Sequence, residues 1–178
     1  MKTRGFIGLG VMGHPMAGHI SKVYPTAVFN RSRLKSEDWN KIYKGSIAGS
    51  PEDLGTACNE IFICIGNDDD VREVVSGKKG LLNTMLSGGI IVDHTTTSSS
   101  LSTEMSSLCK EKGINYIDAP VSGGQVGAEN GTLTIMAGGD KDAFEQAALT
   151  MSCYAKFYKL MGSSGSGQLT KMVNQICI

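Results

Sequence analysis

Short apolar runs of strand length alternate along the chain with stretches of helical period, and glycine, proline or a capping residue marks the junctions. The first run, Gly5-Phe6-Ile7, passes through Gly8-Leu9-Gly10-Val11-Met12-Gly13 into a helical pattern that extends to about Lys22. Ala27-Val28-Phe29 predicts a second strand, Ser32 to about Tyr43 a polar helix, and Ser46-Ile47-Ala48 a brief third strand. Ser50-Pro51 predicts an N-cap with proline at the first helical position, opening a short helix to Ala57. Glu60-Ile61-Phe62-Ile63-Cys64-Ile65 has the continuous apolar character of a strand buried on both faces of a parallel sheet. Helices are predicted over Asp68 to Ser76, with Val71, Val74 and Val75 on one face, over Ser98 to Lys112, closed by Gly113, and over Asp140 to Leu149, capped by Asp140. Ile90-Ile91-Val92, Ile114 to Ile117, Leu133 to Met136 and Lys156 to Leu160 predict the intervening strands.

Strand and helix in alternation, with short connections, imply an α/β fold. Right-handed crossovers would build a doubly wound, mostly parallel sheet, with its later strands mixed in direction. Ligands of such sheets gather at the carboxyl ends of the strands. The 178 residues fit one large domain.

Composition narrows the classes. Lys plus Arg and Asp plus Glu both number 17, so no global field draws in nucleic acid or an anionic membrane, and no stretch is long and apolar enough to span a bilayer. The opening residues lack a credible cleavage site, so no signal peptide is expected. Five cysteines, never spaced as Cys-x-x-Cys, read as reduced thiols of a cytoplasmic protein. His14, His19 and His94 have no ligand-like spacing, so no metal is expected. Asp68-Asp69-Asp70 offers carboxylates to a metal on paper, but three acids opening a helix are read as serving its dipole.

Three stretches carry chemistry. Gly8 suits a tight turn, Gly10 removes a side chain where a pyrophosphate must approach, and Gly13 lets helix and strand pack closely, which together read as a dinucleotide cradle. At the end of the second strand Asn30-Arg31-Ser32 stands where an NAD site would hold an acid. Arg31 can clamp a 2′-phosphate and Ser32 can donate to it, so NADP is expected over NAD. After the fifth strand, Thr96 is available to the nicotinamide ribose; alternatively the local Ser and Thr cluster only caps the next helix, a role assigned to Ser98 in either case.

The second stretch is Asp118-Ala119-Pro120-Val121-Ser122-Gly123-Gly124, which continues to Leu133 as a long glycine-rich run at the ligand edge. Ser122 and the amides of Gly123 and Gly124 form a concavity suited to a carboxylate. The third, Gly162-Ser163-Ser164-Gly165-Ser166-Gly167, has the composition of a flexible linker. It leads into a helical pattern that puts Lys171, Asn174 and Gln175 on one face.

Taken together, Gly8-Leu9-Gly10-x-Met12-Gly13-x-Pro15-Met16-Ala17, Asp118 to Gly124 and Gly165-x-Gly167-x-x-x-Lys171-x-x-Asn174 resemble the β-hydroxyacid dehydrogenase family. This family includes 3-hydroxyisobutyrate dehydrogenase and the tartronate semialdehyde, glyoxylate and succinic semialdehyde reductases. The resemblance implies a Rossmann domain over residues 1–161 and the start of an interdomain helix over 162–178, which makes the Gly/Ser tract a family turn rather than a linker. It implies that Gly8, Leu9, Gly10, Val11, Met12 and Gly13 cradle the cofactor, that Ile65 and Gly66 line it, and that Thr96 touches its ribose. Asn30-Arg31-Ser32 resembles the NADP-preferring members. Ser122, Gly123 and Gly124 would hold the substrate carboxylate, Lys171 would be the catalytic acid/base, and Asn174 would orient the substrate.

Position 66 often carries proline in the family and carries glycine here. Family members continue into an all-helical domain that closes the site and forms the dimer, so a homo-oligomer is expected of a full-length protein. The 178 residues alone are expected to bind cofactor without turnover, with the surviving helical stub of about 11 residues that carries Lys171 too short to be stable without packing. 6-Phosphogluconate dehydrogenase is the nearest competing resemblance, but its first loop and much longer chain fit worse, and Lys171 counts against the imine reductases, which usually replace the lysine. The expected reaction interconverts a small β-hydroxyacid and its semialdehyde or keto acid.

Overall fold

The computed structural model describes residues 2–177. In chain order the elements are β1 (Arg4–Ile7), α1 (Gly13–Ser21), β2 (Thr26–Phe29), α2 (Arg33–Ile42), β3 (Ser46–Ile47), α3 (Pro51–Ala57), β4 (Glu60–Ile63), α4 (Asp68–Ser76) and, after a 3-10 turn at Leu81–Asn83, β5 (Ile90–Asp93). There follow α5 (Ser99–Glu111), β6 (Asn115–Asp118), β7 (Val121–Ser122), α6 (Gly124–Asn130), β8 (Leu133–Gly138), α7 (Lys141–Met151), β9 (Ala155–Gly162) and α8 (Ser166–Ile176).

The pleat of the strands divides the core in two. Phe6, Val28, Phe62, Val92 and Ile117 face one layer with Met16 and Ile20 of α1, Trp39 of α2, and Ala147 and Met151 of α7. Their chain neighbours Ile7, Ala27, Ile61, Ile63, Ile91 and Tyr116 face the other, against Leu54 of α3, Val71 and Val75 of α4, and Leu101 and Met105 of α5. Alternate residues on opposite faces, both covered by helices, are why these strands read as unbroken apolar runs.

The strands are ordered β3-β2-β1-β4-β5-β6-β8-β7, with β9 beside β8. Those from β3 across to β6 are parallel, β8 runs antiparallel to both β6 and β7, and β9 is parallel to β8. The chain leaves β1 in one direction for β2 and β3, then returns to β1's other side with β4. A crevice therefore opens at the carboxyl ends of β1 and β4.

Capping residues set several helix starts. Ser50 accepts from Asp53 N–H, Asn67 from Asp69 and Asp70 N–H, Ser98 from Leu101 N–H and Asp140 from Ala143 N–H. Two expectations are corrected. β4 ends at Ile63 rather than Ile65, because Ile65 N–H donates to the Thr95 hydroxyl at 3.1 Å instead of continuing the ladder. The run from Asp118 to Leu133 is not one open loop. Val121–Ser122 pairs with Ile135 and Thr134, and Gly124–Asn130 is helical, ended by Gly131 in the left-handed region at φ 67°. Ala128 of that helix is buried in the core cluster that includes Met16, Ala17 and Ile20 of α1, which offsets the poor helix propensity of its glycines.

Candidate functional site

The glycine loop is shaped by contacts that exclude side chains at two positions and leave a third open. Gly8 has φ +97°, and a Cβ there would lie 2.1 Å from the Cys64 carbonyl oxygen. A Cβ on Gly13 would lie 1.9 Å from the Gly8 carbonyl oxygen and 2.9 Å from the Phe6 ring, so α1 seats on β1 only with glycine there. At Gly10 an added Cβ would meet nothing within 4 Å, so this backbone faces open space. Met12, at the N-cap of α1, makes no side-chain cap bond; His14 N–H already donates to the Gly10 carbonyl at 2.9 Å and Pro15 has no N–H, so the amides left for an anion are those of the loop from Val11 to Gly13. A dinucleotide pyrophosphate fits this cradle.

Beside the loop a cleft of about 510 Å³ is lined by Gly8, Gly10, Arg31, Ser32, Gly66 and Asp70, among others. Asn30 is part of the loop's support: its Oδ1 accepts from Leu9 N–H at 2.9 Å and its Nδ2 donates to the Ser32 carbonyl at 3.1 Å. Arg31 reaches Asp70 of α4, with 3.2 Å between Nη1 and Oδ1. Ser32 is the N-cap of α2, but its hydroxyl makes no capping bond. Val11, Gly66 and Thr96 are exposed, while Met12 and Ile65 are half-buried.

The acids of α4, read from sequence as solvated dipole partners, have tertiary partners as well. Asp68 accepts from the Ser98 hydroxyl at 2.5 Å and from Ser98 N–H at 3.2 Å, joining the starts of α4 and α5. Among the described residues no group of three or more His, Cys, Asp or Glu could hold a metal ion, and no helix is long and apolar enough to cross a membrane.

The third region is built around α8. Gly167, Gln168 and Lys171 form its buried face, Lys171 being 8% exposed, while Asn174 is half-buried and Gln175 exposed. Two buried side chains whose role the sequence does not reveal fix this helix. Asp118, the last residue of β6, accepts from Gly165 N–H at 2.7 Å and Gln168 N–H at 3.0 Å. Burial pushes its carboxyl up, opposed by these N–H bonds. The Gln168 side chain donates to the Thr95 carbonyl at 2.8 Å and accepts from Thr97 N–H at 3.1 Å, bracketing Thr96. Gly165, at φ +90°, makes the turn, and a Cβ on Gly167 would lie 2.5 Å from the Met136 carbonyl oxygen. The 11-residue helix is thus docked on the sheet rather than an unsupported stub.

Ser122 is half-buried and paired with Thr134; Gly123, at φ 127°, and Gly124, at φ 59°, are exposed at the start of α6. Their segment leaves β6 at Asp118, whose carboxylate holds α8. Behind them, His94 is fully enclosed. It bonds the Ala119 carbonyl at 2.7 Å through Nδ1 and the Tyr154 hydroxyl at 2.8 Å through Nε2, and burial pulls its pKa down to about 4.

A glycine cradle at the switch point of a doubly wound sheet defines a dinucleotide-binding domain. Residues 3–165 match the model of the NAD binding domain of 6-phosphogluconate dehydrogenase, and the chain belongs to that family. It is 48% identical over 179 residues to an uncharacterized oxidoreductase of Shewanella frigidimarina, covering 100% of this chain and 62% of the relative. With the 2-hydroxy-3-oxopropionate reductase of Escherichia coli it shares 34% over 174 residues, covering 98% of this chain and 59% of the relative. The structure of Mycobacterium tuberculosis 3-hydroxyisobutyrate dehydrogenase with L-serine superposes with a TM-score of 0.92 at 25% identity, over 99% of this chain and 60% of that one. Psf3 in complex with NADP+ and 2-OPP gives 0.92 at 27%, over 98% and 62%. The chain thus spans about 60% of the length of the relatives it matches. Two of these names, 2-hydroxy-3-oxopropionate reductase and 3-hydroxyisobutyrate dehydrogenase, belong to the hydroxyacid dehydrogenases the motifs resemble.

Proposed function

We propose that the protein, at full length, is an NADP(H)-dependent oxidoreductase that interconverts a small β-hydroxyacid and its semialdehyde or keto acid. The observation that carries this reading is the Gln168 amide, bonded on both sides of Thr96 while Lys171 follows one helical turn later on the same buried face. The loop expected to meet the cofactor ribose and the helix bearing the expected acid/base are thereby one mechanical unit.

Bound nicotinamide would supply hydride chemistry. The chain's own residues do the rest. The glycine loop holds the pyrophosphate, and Ile65, Gly66 and Thr96 line the cofactor's path. Arg31 and Ser32 hold the 2′-phosphate, and Asn30 keeps the loop in register beneath them. Ser122 with the amides of Gly123 and Gly124 receives the substrate carboxylate, Asn174 orients the substrate, and the Lys171 amine gives or takes the hydroxyl proton. We extend the proposal to a cytoplasmic location, on the cysteine usage, and to a homo-oligomer, as the resemblance implies.

The test is steady-state kinetics on the full-length protein with small semialdehydes and hydroxyacids and with both cofactors. Lys171→Ala should cut turnover by roughly two to four orders of magnitude, the range of general acid–base catalysis, while NADPH affinity changes little. Near-normal turnover in that variant would remove the assignment.

A further inference from the structure

We propose that Asp70 is a cofactor-specificity residue: it supplies from α4 the carboxylate that the end of β2 lacks, and it restrains selection for the 2′-phosphorylated dinucleotide. The inference rests on the reading of Arg31 as the 2′-phosphate clamp and adds a second, opposing determinant in the same cleft.

Four observations carry it. Asp70 lines the cleft that Arg31 and Ser32 line, and its Oδ1 lies 3.2 Å from the Arg31 Nη1. The Arg31 side chain is 90% exposed and that of Asp70 is 30% exposed, so the arginine reaches back to a partly sheltered carboxylate. The carboxylate is also held in place from below. Asn67 caps α4 by accepting from Asp70 N–H at 3.0 Å, which fixes the first helical turn. Finally, the position depends on Gly66: a Cβ there would lie 2.4 Å from Asp70 Oδ2. Any other residue at 66 would push the carboxylate away from where it stands.

The consequence is electrostatic. The cleft also carries Lys35 and Lys79 against Glu73, so Asp70 leaves three cations facing two carboxylates. A guanidinium already paired with a carboxylate presents a weaker field to a phosphate, and the carboxylate itself repels that phosphate across a partly solvated cleft. A cofactor with a free ribose hydroxyl suffers neither penalty.

The experiment is calorimetric titration of NADP+ and NAD+ into full-length wild-type, Asp70→Asn and Arg31→Ala proteins at low and high salt. Asp70→Asn should tighten NADP+ by roughly 5- to 10-fold at low ionic strength and change NAD+ by less than about twofold, and the gain should shrink as salt screens the cleft. Equal changes for the two cofactors, or none, while Arg31→Ala still weakens NADP+ selectively, would overturn the role of Asp70 and leave that of Arg31 standing. No selective effect in either variant would overturn both. Failure of the wild type to bind either dinucleotide would overturn the functional reading and this inference with it. As a second variant, Gly66→Ala should reproduce the NADP+/NAD+ ratio of Asp70→Asn, because it displaces the same carboxylate; an unchanged ratio counts against the proposal.

Discussion

Asp118 and Gly165 stand 47 residues apart in sequence, yet the Asp118 carboxylate accepts the Gly165 N–H at 2.7 Å, and its other oxygen accepts Gln168 N–H at 3.0 Å. An acid at the end of β6 is therefore the cap of α8. Asp118→Asn would leave one acceptor oxygen and turn an amide donor toward a backbone donor. The expected cost is about 1–3 kcal/mol, the penalty of an unsatisfied buried group, read as a shift in the urea midpoint. A midpoint unchanged from wild type would show that α8 does not depend on this cap.

Gln168 acts from the helix side of the same junction. Gln168→Leu fills similar space but strips partners from the Thr95 carbonyl and Thr97 N–H. Backbone hydrogen exchange is expected to quicken together at residues 95–98 and 165–171, at least several-fold, while β1 and β2 keep their protection. Acceleration confined to α8 would mean that the Thr96 loop is held by other contacts.

The glycine loop allows a sharper contrast, since its glycines serve different ends. Gly13→Ala puts a methyl 1.9 Å from a backbone oxygen, so α1 must move off β1 at a cost of about 2 kcal/mol or more. Gly10→Ala meets no protein atom within 4 Å and should leave stability within about 0.5 kcal/mol. It should nonetheless weaken dinucleotide binding by roughly tenfold, because the added methyl occupies the approach to the pyrophosphate. Thermal melts and calorimetry separate the two effects. Unimpaired binding by the Gly10 variant would show that the cofactor does not cross this backbone.

These contrasts mark what is legible in a sequence. Two-faced burial wrote β1, β4 and β5 as apolar runs, and the caps at Ser50, Ser98 and Asp140 wrote the starts of their helices, because both signals are local. α6 escaped because a helix of Gly124, Gly127 and Ala128 forms by close packing on α1, which no propensity records. β7 escaped because its two residues stand between Pro120 and Gly123, in a run whose proline and glycines read as turn. The pairings Asp70–Arg31, Asp118–Gly165 and Gln168–Thr95 join residues 39 to 73 apart, so each side chain looks unremarkable until the sheet brings the partners together. Motif spacing marks Lys171, whereas only the fold reveals what holds it.

Two neighbours at the end of β5 have titrations that oppose each other. Burial pushes Asp93 up from 3.8 to about 6, although Thr95 N–H and the Tyr116 hydroxyl donate to its carboxylate at 2.9 and 2.6 Å. Burial pulls His94 down from 6.5 to about 4. Between pH 6 and 3.8 the native state binds the Asp93 proton that the unfolded chain releases, so acidification relieves a cost and this residue favours folding at low pH. Between pH 6.5 and 4 the unfolded chain binds the His94 proton that the native state refuses, so acidification removes stability. Shifts of this size correspond to about 3 kcal/mol each, in opposite directions. The two should nearly cancel in the wild type. Asp93→Asn should therefore lose stability more steeply than wild type as pH falls from 6.5 to 4. His94→Gln should lose it less steeply, or gain. Urea unfolding at pH 7, 6, 5 and 4 gives the three curves, and comparing each variant with wild type removes the contribution of Glu60, whose carboxyl burial also pushes up. Parallel curves would show that neither buried group titrates in this window.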